Sequence, residues 1–159
     1  MAFYNRSEGQ SYIFDPNKPW AEQSPTPLPP YGEETDRFEV VSWSPDGWGL
    51  AGIGSSTIEK PPEVVVYSFA SNEYQRLTTS DSAPTRLWLP DGRSLLYPCD
   101  GKICSVDRVS GLVREVFSVP DTFQRFLTVF SLSRDGHWIC FTRVEKTADI
   151  WMLTLNEEK

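Results

Sequence analysis

Thr85-Arg86-Leu87-Trp88-Leu89-Pro90-Asp91-Gly92-Arg93-Ser94-Leu95-Leu96-Tyr97 is the stretch that decides how this chain is read. Residues alternate in polarity up to Leu89, Pro90 presets φ, and Gly92 accepts the left-handed conformation a turn needs, so Ser94–Tyr97 returns as a second strand. Asp100-Gly101 marks a tight hairpin into a third strand, Lys102-Ile103-Cys104-Ser105-Val106-Asp107. After Ser110-Gly111 the run from Leu112 to Val119 supplies a fourth strand. Four antiparallel strands joined by short turns are expected.

The same punctuation recurs on both sides, at Ser44-Pro45-Asp46-Gly47 and Ser133-Arg134-Asp135-Gly136. The turn aspartates stand at 46, 91 and 135, spacings of 45 and then 44 residues, which marks a repeated unit of that length. In the preceding unit Phe38–Trp43 and Gly49–Ile53 flank the turn, a loop with Pro61-Pro62 leads into Glu63–Phe69, and Glu73–Thr78 closes it. The Val-rich third strand should be buried on both faces. In the last unit Leu127–Leu132 and Trp138–Thr142 flank the turn, and Asp149–Leu155 is the expected third strand. Near the N-terminus Met1–Tyr4, Ser11–Asp15 and Pro25–Leu28 fit the second, third and fourth strands of a further unit, the last weakened by prolines and therefore placed at an outer edge. The fold class expected is all-β, a set of β-propeller blades: about four units of four-stranded antiparallel meanders, two complete and two incomplete. The divisions are 1–37, the end of a preceding blade plus a Pro-rich outer segment; 38–79, a blade; 80–120, a blade; and 121–159, an incomplete last blade.

Unfinished units leave strand edges bare, and repeat proteins must cap such edges. The expectation is the C-terminal part of a larger propeller; the alternatives are two chains joining into one eight-unit ring and a closed four-bladed ring.

Fifteen Lys and Arg against 22 Asp and Glu give a net charge of −7 with no basic block, which argues against nucleic acid as a partner. No apolar run approaches the ~20 residues of a membrane-spanning helix, so no membrane insertion is expected. Aromatics form 13% of the chain, a load suited to packing between sheets.

Cys99, Cys104 and Cys140 form no metal-ligand pattern. A two-residue loop at Asp100-Gly101 sets Cys99 opposite Lys102 and Cys104 opposite Tyr97, a diagonal placement from which free thiols are expected. His137, the one histidine, follows a turn and lacks partners for a triad or metal site; no Gly-x-Ser-x-Gly elbow or His-Glu-x-x-His is present. Asp46, Asp91 and Asp135 could be drawn as a carboxylate ring, but turn aspartates bond their own backbone. Gly49–Gly54 lacks the Lys-Ser/Thr ending of a phosphate loop and reads as a glycine-rich strand. Trp43, Trp88 and Trp151 are expected to fill space between blades, and Trp20 is a candidate exposed anchor. Asn5-Arg6-Ser7 fits a glycosylation sequon by a short match. No catalytic, cofactor-binding or metal-ligating residue is therefore expected.

The pattern of Trp43-Ser44-Pro45-Asp46-Gly47, Asp100-Gly101-Lys102-Ile103, Ser133-Arg134-Asp135-Gly136 and Asp149-Ile150-Trp151 resembles the TolB-type, WD40-like propeller repeat known as PD40, over about residues 38–155. Arg134 stands in place of the turn proline, Leu89 in place of the turn serine, and the Trp-Asp ending of true WD40 repeats is absent. The resemblance implies four-stranded blades around a central channel. Similar arrays occur in periplasmic TolB-like proteins, after bacterial serine/threonine kinase domains, and ahead of the hydrolase domain in prolyl-oligopeptidase-like enzymes.

The function expected is a non-catalytic β-propeller segment acting as a protein or peptide interaction scaffold, with self-association to complete the ring as a further partner mode. The alternatives are a C-terminal sensor or accessory propeller of a larger bacterial enzyme and a ligand-binding propeller. Compartment is open, with a periplasmic or other extracytoplasmic place following if the chain belongs to a longer exported or membrane-tethered protein.

Overall fold

The computed structural model describes residues 1–56, 60–80, 84–118 and 130–141. Their strands are β1 (Ala2–Asn5), β2 (Gln10–Ile13), β3 (Thr26–Pro27), β4 (Arg37–Trp43), β5 (Gly49–Ser55), β6 (Glu63–Ser68), β7 (Glu73–Thr79), β8 (Leu87–Trp88), β9 (Ser94–Cys99), β10 (Lys102–Asp107), β11 (Val113–Ser118), β12 (Phe130–Leu132) and β13 (Ile139–Phe141), with one 3-10 turn at Trp20–Glu22. They form antiparallel meanders in the orders β1-β2-β3, β4-β5-β6-β7, β8-β9-β10-β11 and β12-β13. The expected strand Asp149–Leu155, with Trp151, lies outside the described residues.

The second and third sheets carry apolar side chains on both faces, and the sheets stack through them. Ala2 and Ile13 of the first sheet meet Phe38, Leu50, Val65 and Tyr67 of the second. On the second sheet's other face Ala51, Val64 and Val66 meet Trp88, Leu95, Tyr97, Cys104 and Val106 of the third. Leu96 and Ile103 then carry the third sheet onto Phe130, Leu132 and Ile139. Val64, Val65 and Val66 are wholly buried because β6 lies mid-sheet with a neighbouring sheet on each side. Gly52 in β5 is required by close approach: a Cβ there would fall on the Glu39 carbonyl oxygen.

Polar side chains stitch neighbouring sheets. The Ser11 hydroxyl donates to the Phe38 carbonyl at 2.6 Å and accepts from the Val40 N–H at 3.1 Å, at the start of a bulge in β4. The Ser42 hydroxyl donates to the Arg86 carbonyl at 2.7 Å. Arg108 lays its guanidinium 4.1 Å from the Trp48 ring centre and 3.5 Å from the Asp46 carboxylate.

Two local readings are corrected. Thr85-Arg86 does not extend β8: Arg86 is fully buried, its guanidinium meets the Ser80 hydroxyl, and its carbonyl is taken by Ser42 instead of a strand neighbour. Cys99 and Cys104, expected as free thiols, are joined in a disulfide, while Cys140 is free and exposed. The register is the anticipated one, Cys99 opposite Lys102 and Cys104 opposite Tyr97. Positive φ at Asp100 (48°) and Gly101 (70°) twists the hairpin strongly, and the diagonal Cα separation closes to 5.9 Å, well within reach of a disulfide. Pro27 stands opposite Tyr12 at a position that directs no bond to β2, since the Leu28 N–H makes the bond to the Ser11 carbonyl at 2.9 Å. That is the place a strand tolerates proline.

Candidate functional site

The three Pro-Asp-Gly-type turns are one device built three times. Ser44, Leu89 and Ser133 each close a hairpin loop, their N–H bonding the carbonyls of Gly49, Ser94 and Trp138 at 2.9, 2.8 and 2.8 Å, and their carbonyls accepting from Gly47, Gly92 and Gly136. The Ser44 hydroxyl accepts the Gly49 N–H and the Ser133 hydroxyl the Trp138 N–H, both at 2.9 Å. The carboxylates are engaged in the same turns. Asp46 accepts the Trp48 N–H at 3.0 Å, which holds its pKa below the ordinary carboxylate value. Asp135 is lowered by the Ser133 hydroxyl first and the His137 N–H second. The carboxylates thus serve as turn locks; among the described residues no three metal-ligating side chains converge.

Successive turns also stack. A Cβ on Gly92 would lie 2.8 Å from Asp46 Cγ, and one on Gly136 2.9 Å from the Pro90 ring. This staircase brings equivalent residues of three repeats to one groove of about 330 Å³: Ser42, Trp43 and Pro45; Leu87, Trp88 and Pro90; Ser131, Leu132 and Arg134. Each triplet repeats the one before it at the spacing of the turns, so the groove is a product of the repeat itself. Arg134, the residue that departs from the turn proline, is the charged group in this lining.

Trp43 and Trp88, singled out from sequence, share this groove, and the remaining residues so singled out fall elsewhere. Trp88 is buried between two sheets, edge-on to Trp48. Trp43, expected between blades, is 40% exposed and packs on Phe69. Trp20 is exposed and meets Phe3 and Phe14 edge-on. His137 is exposed, its Nδ1 3.5 Å from Asp135. Asn5 folds its side chain onto the N–H and hydroxyl of Ser7. Gly49–Gly54 belongs to β5.

No family model matches the chain, and no curated protein matches it. Solved structures do. TolB from Acinetobacter baumannii aligns over 72% of this chain and 29% of its own, with TM-score 0.51 and 18% identity. Oligogalacturonate lyase from Vibrio parahaemolyticus aligns over 69% of this chain and 33% of its own, with TM-score 0.50 and 11% identity. The fold is that of a β-propeller. Stacked antiparallel meanders, each entered through the same turn, are its blades, and the chain spans about a third of the length of these solved relatives.

Proposed function

We propose that this chain is a non-catalytic segment of a TolB-type, WD40-like propeller of the PD40 kind, and that it acts as an interaction scaffold for a protein or peptide. The observation that carries the reading is the three-repeat groove, in which Trp43, Pro45, Leu87, Trp88, Pro90 and Leu132 alternate with Ser42, Ser131 and Ser133 and Arg134 is the one charged residue. Such a trough suits an extended peptide with apolar side chains and a carboxylate placed to meet the guanidinium. The match to about a third of two solved propellers supports a place in a longer ring, such as an accessory propeller of a larger bacterial protein. The Cys99–Cys104 disulfide supports an oxidising, extracytoplasmic setting.

Peptide-display selection against the chain tests this, with binders measured by calorimetry. The reading expects saturable acidic-apolar binders that lose affinity in Arg134→Glu and are recovered unchanged in mass. Binders indifferent to Arg134→Glu, or cleavage of the bound peptide, would overturn it.

A further inference from the structure

A cavity of about 390 Å³ lies where the β1–β2 turn, the segment leading into β4 and Tyr74 of β7 meet, and it shares no residue with the groove of the three turns. Its hydrogen-bonding groups are one-sided. The donors are engaged within the fold: the Tyr74 hydroxyl on the Pro29 carbonyl at 2.7 Å, the Tyr31 hydroxyl on Glu63 at 2.9 Å, the Ser11 hydroxyl on the Phe38 carbonyl, and the Gln10 amide on the carbonyls of Ser11 and Leu28, both at 3.0 Å. Pro29 and Pro30 bring no N–H. Acceptors are left over. Asp36, its side chain 9% exposed, uses Oδ2 for the Glu33 N–H at 3.1 Å and sets the same oxygen 3.8 Å from Arg76, while its Oδ1 has no partner among the described residues. Gln10 Oε1 and the carboxylates of Glu33 and Glu34 are likewise without partners among those residues. With Glu8, four carboxylates line the cavity against one cation, Arg37, whose Nη1 donates to the carbonyls of Glu34 and Asp36 at 2.7 and 2.9 Å.

We propose that this cavity binds a small linear oligoamine, an organic cation carrying two or three ammonium groups on methylene chains. An ammonium group has donors and no acceptor, the complement of a wall whose unpaired groups are acceptors. A carboxylate or phosphate ligand would meet like charge. A metal ion is excluded on geometry, since it needs several oxygens converging on one point and no three metal-ligating side chains do so among the described residues. Carboxylates spread along a wall call for charge spread along a chain. The rings of Tyr31, Phe38 and Tyr74, packed on one another beside Pro29 and Pro30, give the methylenes an apolar surface. The volume is that of a small-ligand site. Such a ligand differs in kind from the peptide of the Arg134 groove and binds apart from it.

The probes are spermidine, the monoamine butylamine and magnesium chloride, each titrated into the full chain by calorimetry. Spermidine should saturate a single site and bind at least about tenfold tighter than butylamine, since one further charge-assisted contact is worth about that factor. NMR should show the amides of Gly9 and Gly32, both in the lining, shifting with the same saturation. Asp36→Asn, which keeps an acceptor for the Glu33 N–H, should weaken spermidine about tenfold. Glu34→Gln, a change on an exposed segment, tests the same wall without disturbing the packing and should weaken it about threefold. Glu22→Gln, outside the cavity, should bind within about twofold of the parent. Equal affinity for spermidine and butylamine overturns the proposal, as does affinity unchanged in both Asp36→Asn and Glu34→Gln. Displacement of spermidine by magnesium at equal concentration of charge also overturns it, by marking a diffuse counter-ion in place of a site. The cavity and the Arg134 groove have no residue in common, so failure here leaves the scaffold reading standing.

Discussion

The Asp91 carboxylate accepts the Ser94 N–H at 2.8 Å, the amide whose counterparts in the other two turns are held by the hydroxyls of Ser44 and Ser133. Leu89 occupies the serine position in this turn, so the aspartate takes over, and it also accepts from the Arg93 N–H and the Ser94 hydroxyl. Burial pushes its pKa up, but these three bonds outweigh that and the net shift is downward. Asp91→Ala should therefore cost about 1–2 kcal/mol, and Asp46→Ala, with one turn amide to lose, about half as much. A depressed folded pKa gives stability that is full above the unfolded value near 3.8 and lost as pH falls through the folded value. The gap between parent and Asp91→Ala should narrow below about pH 4. Urea unfolding at pH 7 and pH 3 measures both effects.

Stacking of the turns predicts an order among three glycines that sequence treats as equal. Gly47, Gly92 and Gly136 all have positive φ, at 73°, 62° and 74°. An alanine at 47 meets nothing within 4 Å, at 92 it meets the Asp46 side chain, and at 136 it meets the rigid Pro90 ring. Gly47→Ala should cost about 1 kcal/mol from backbone strain alone. Gly92→Ala and Gly136→Ala should cost more, about 2 kcal/mol or above, with Gly136→Ala the greater. Equal losses in thermal unfolding would contradict the staircase.

The turns were legible because their chemistry is local: proline, aspartate and glycine act within a few residues, and their spacing counts the units. What was not legible depends on neighbours. Trp43 and Trp88 hold the same place in the repeat, but only Trp88 has a strand-complete sheet on each side, so one is half exposed and the other buried. Sequence gives the register of Cys99 and Cys104 but not their disulfide, because strand twist, which shortens one diagonal, cannot be read from residue order. The groove emerges only once the triplets at 42–45, 87–90 and 131–134 are stacked in space. Arg134 is visible in sequence as a departure from the turn proline, and its place as the groove's one charged residue follows from that stacking.

The disulfide sets a quantitative expectation. It joins residues five apart in sequence, a short loop, so chain entropy limits its contribution to about 2 kcal/mol. The Cys99→Ser/Cys104→Ser variant should remain folded and lose about that much in urea unfolding. Alkylation of the native chain should label Cys140, which is exposed, and spare the other two until a reductant is added. Labelling of all three cysteines without reductant would contradict the bond.

Tyr31 and Tyr74 meet edge-on beside Phe38 at the seam of the first two sheets, with ring centres 5.1 Å apart. Burial, then the bond from Tyr31 to Glu63, pushes the Tyr31 phenol up to about 12 against the opposing effect of Arg76, and burial raises Tyr74 further still. A raised folded pKa means the associated stability is full below the unfolded value near 10 and is lost as pH climbs through the folded value. The seam should therefore weaken between about pH 10 and 12, after exposed tyrosines have ionised. Spectrophotometric titration should resolve a late phenolate step coincident with loss of strand signal. Tyr31→Phe should remove part of that step and leave Arg76 with its contacts to Glu63 at 3.3 Å and Asp36 at 3.8 Å. Ionisation of every tyrosine in one transition near pH 10, with the sheets intact, would show that the seam is open to solvent.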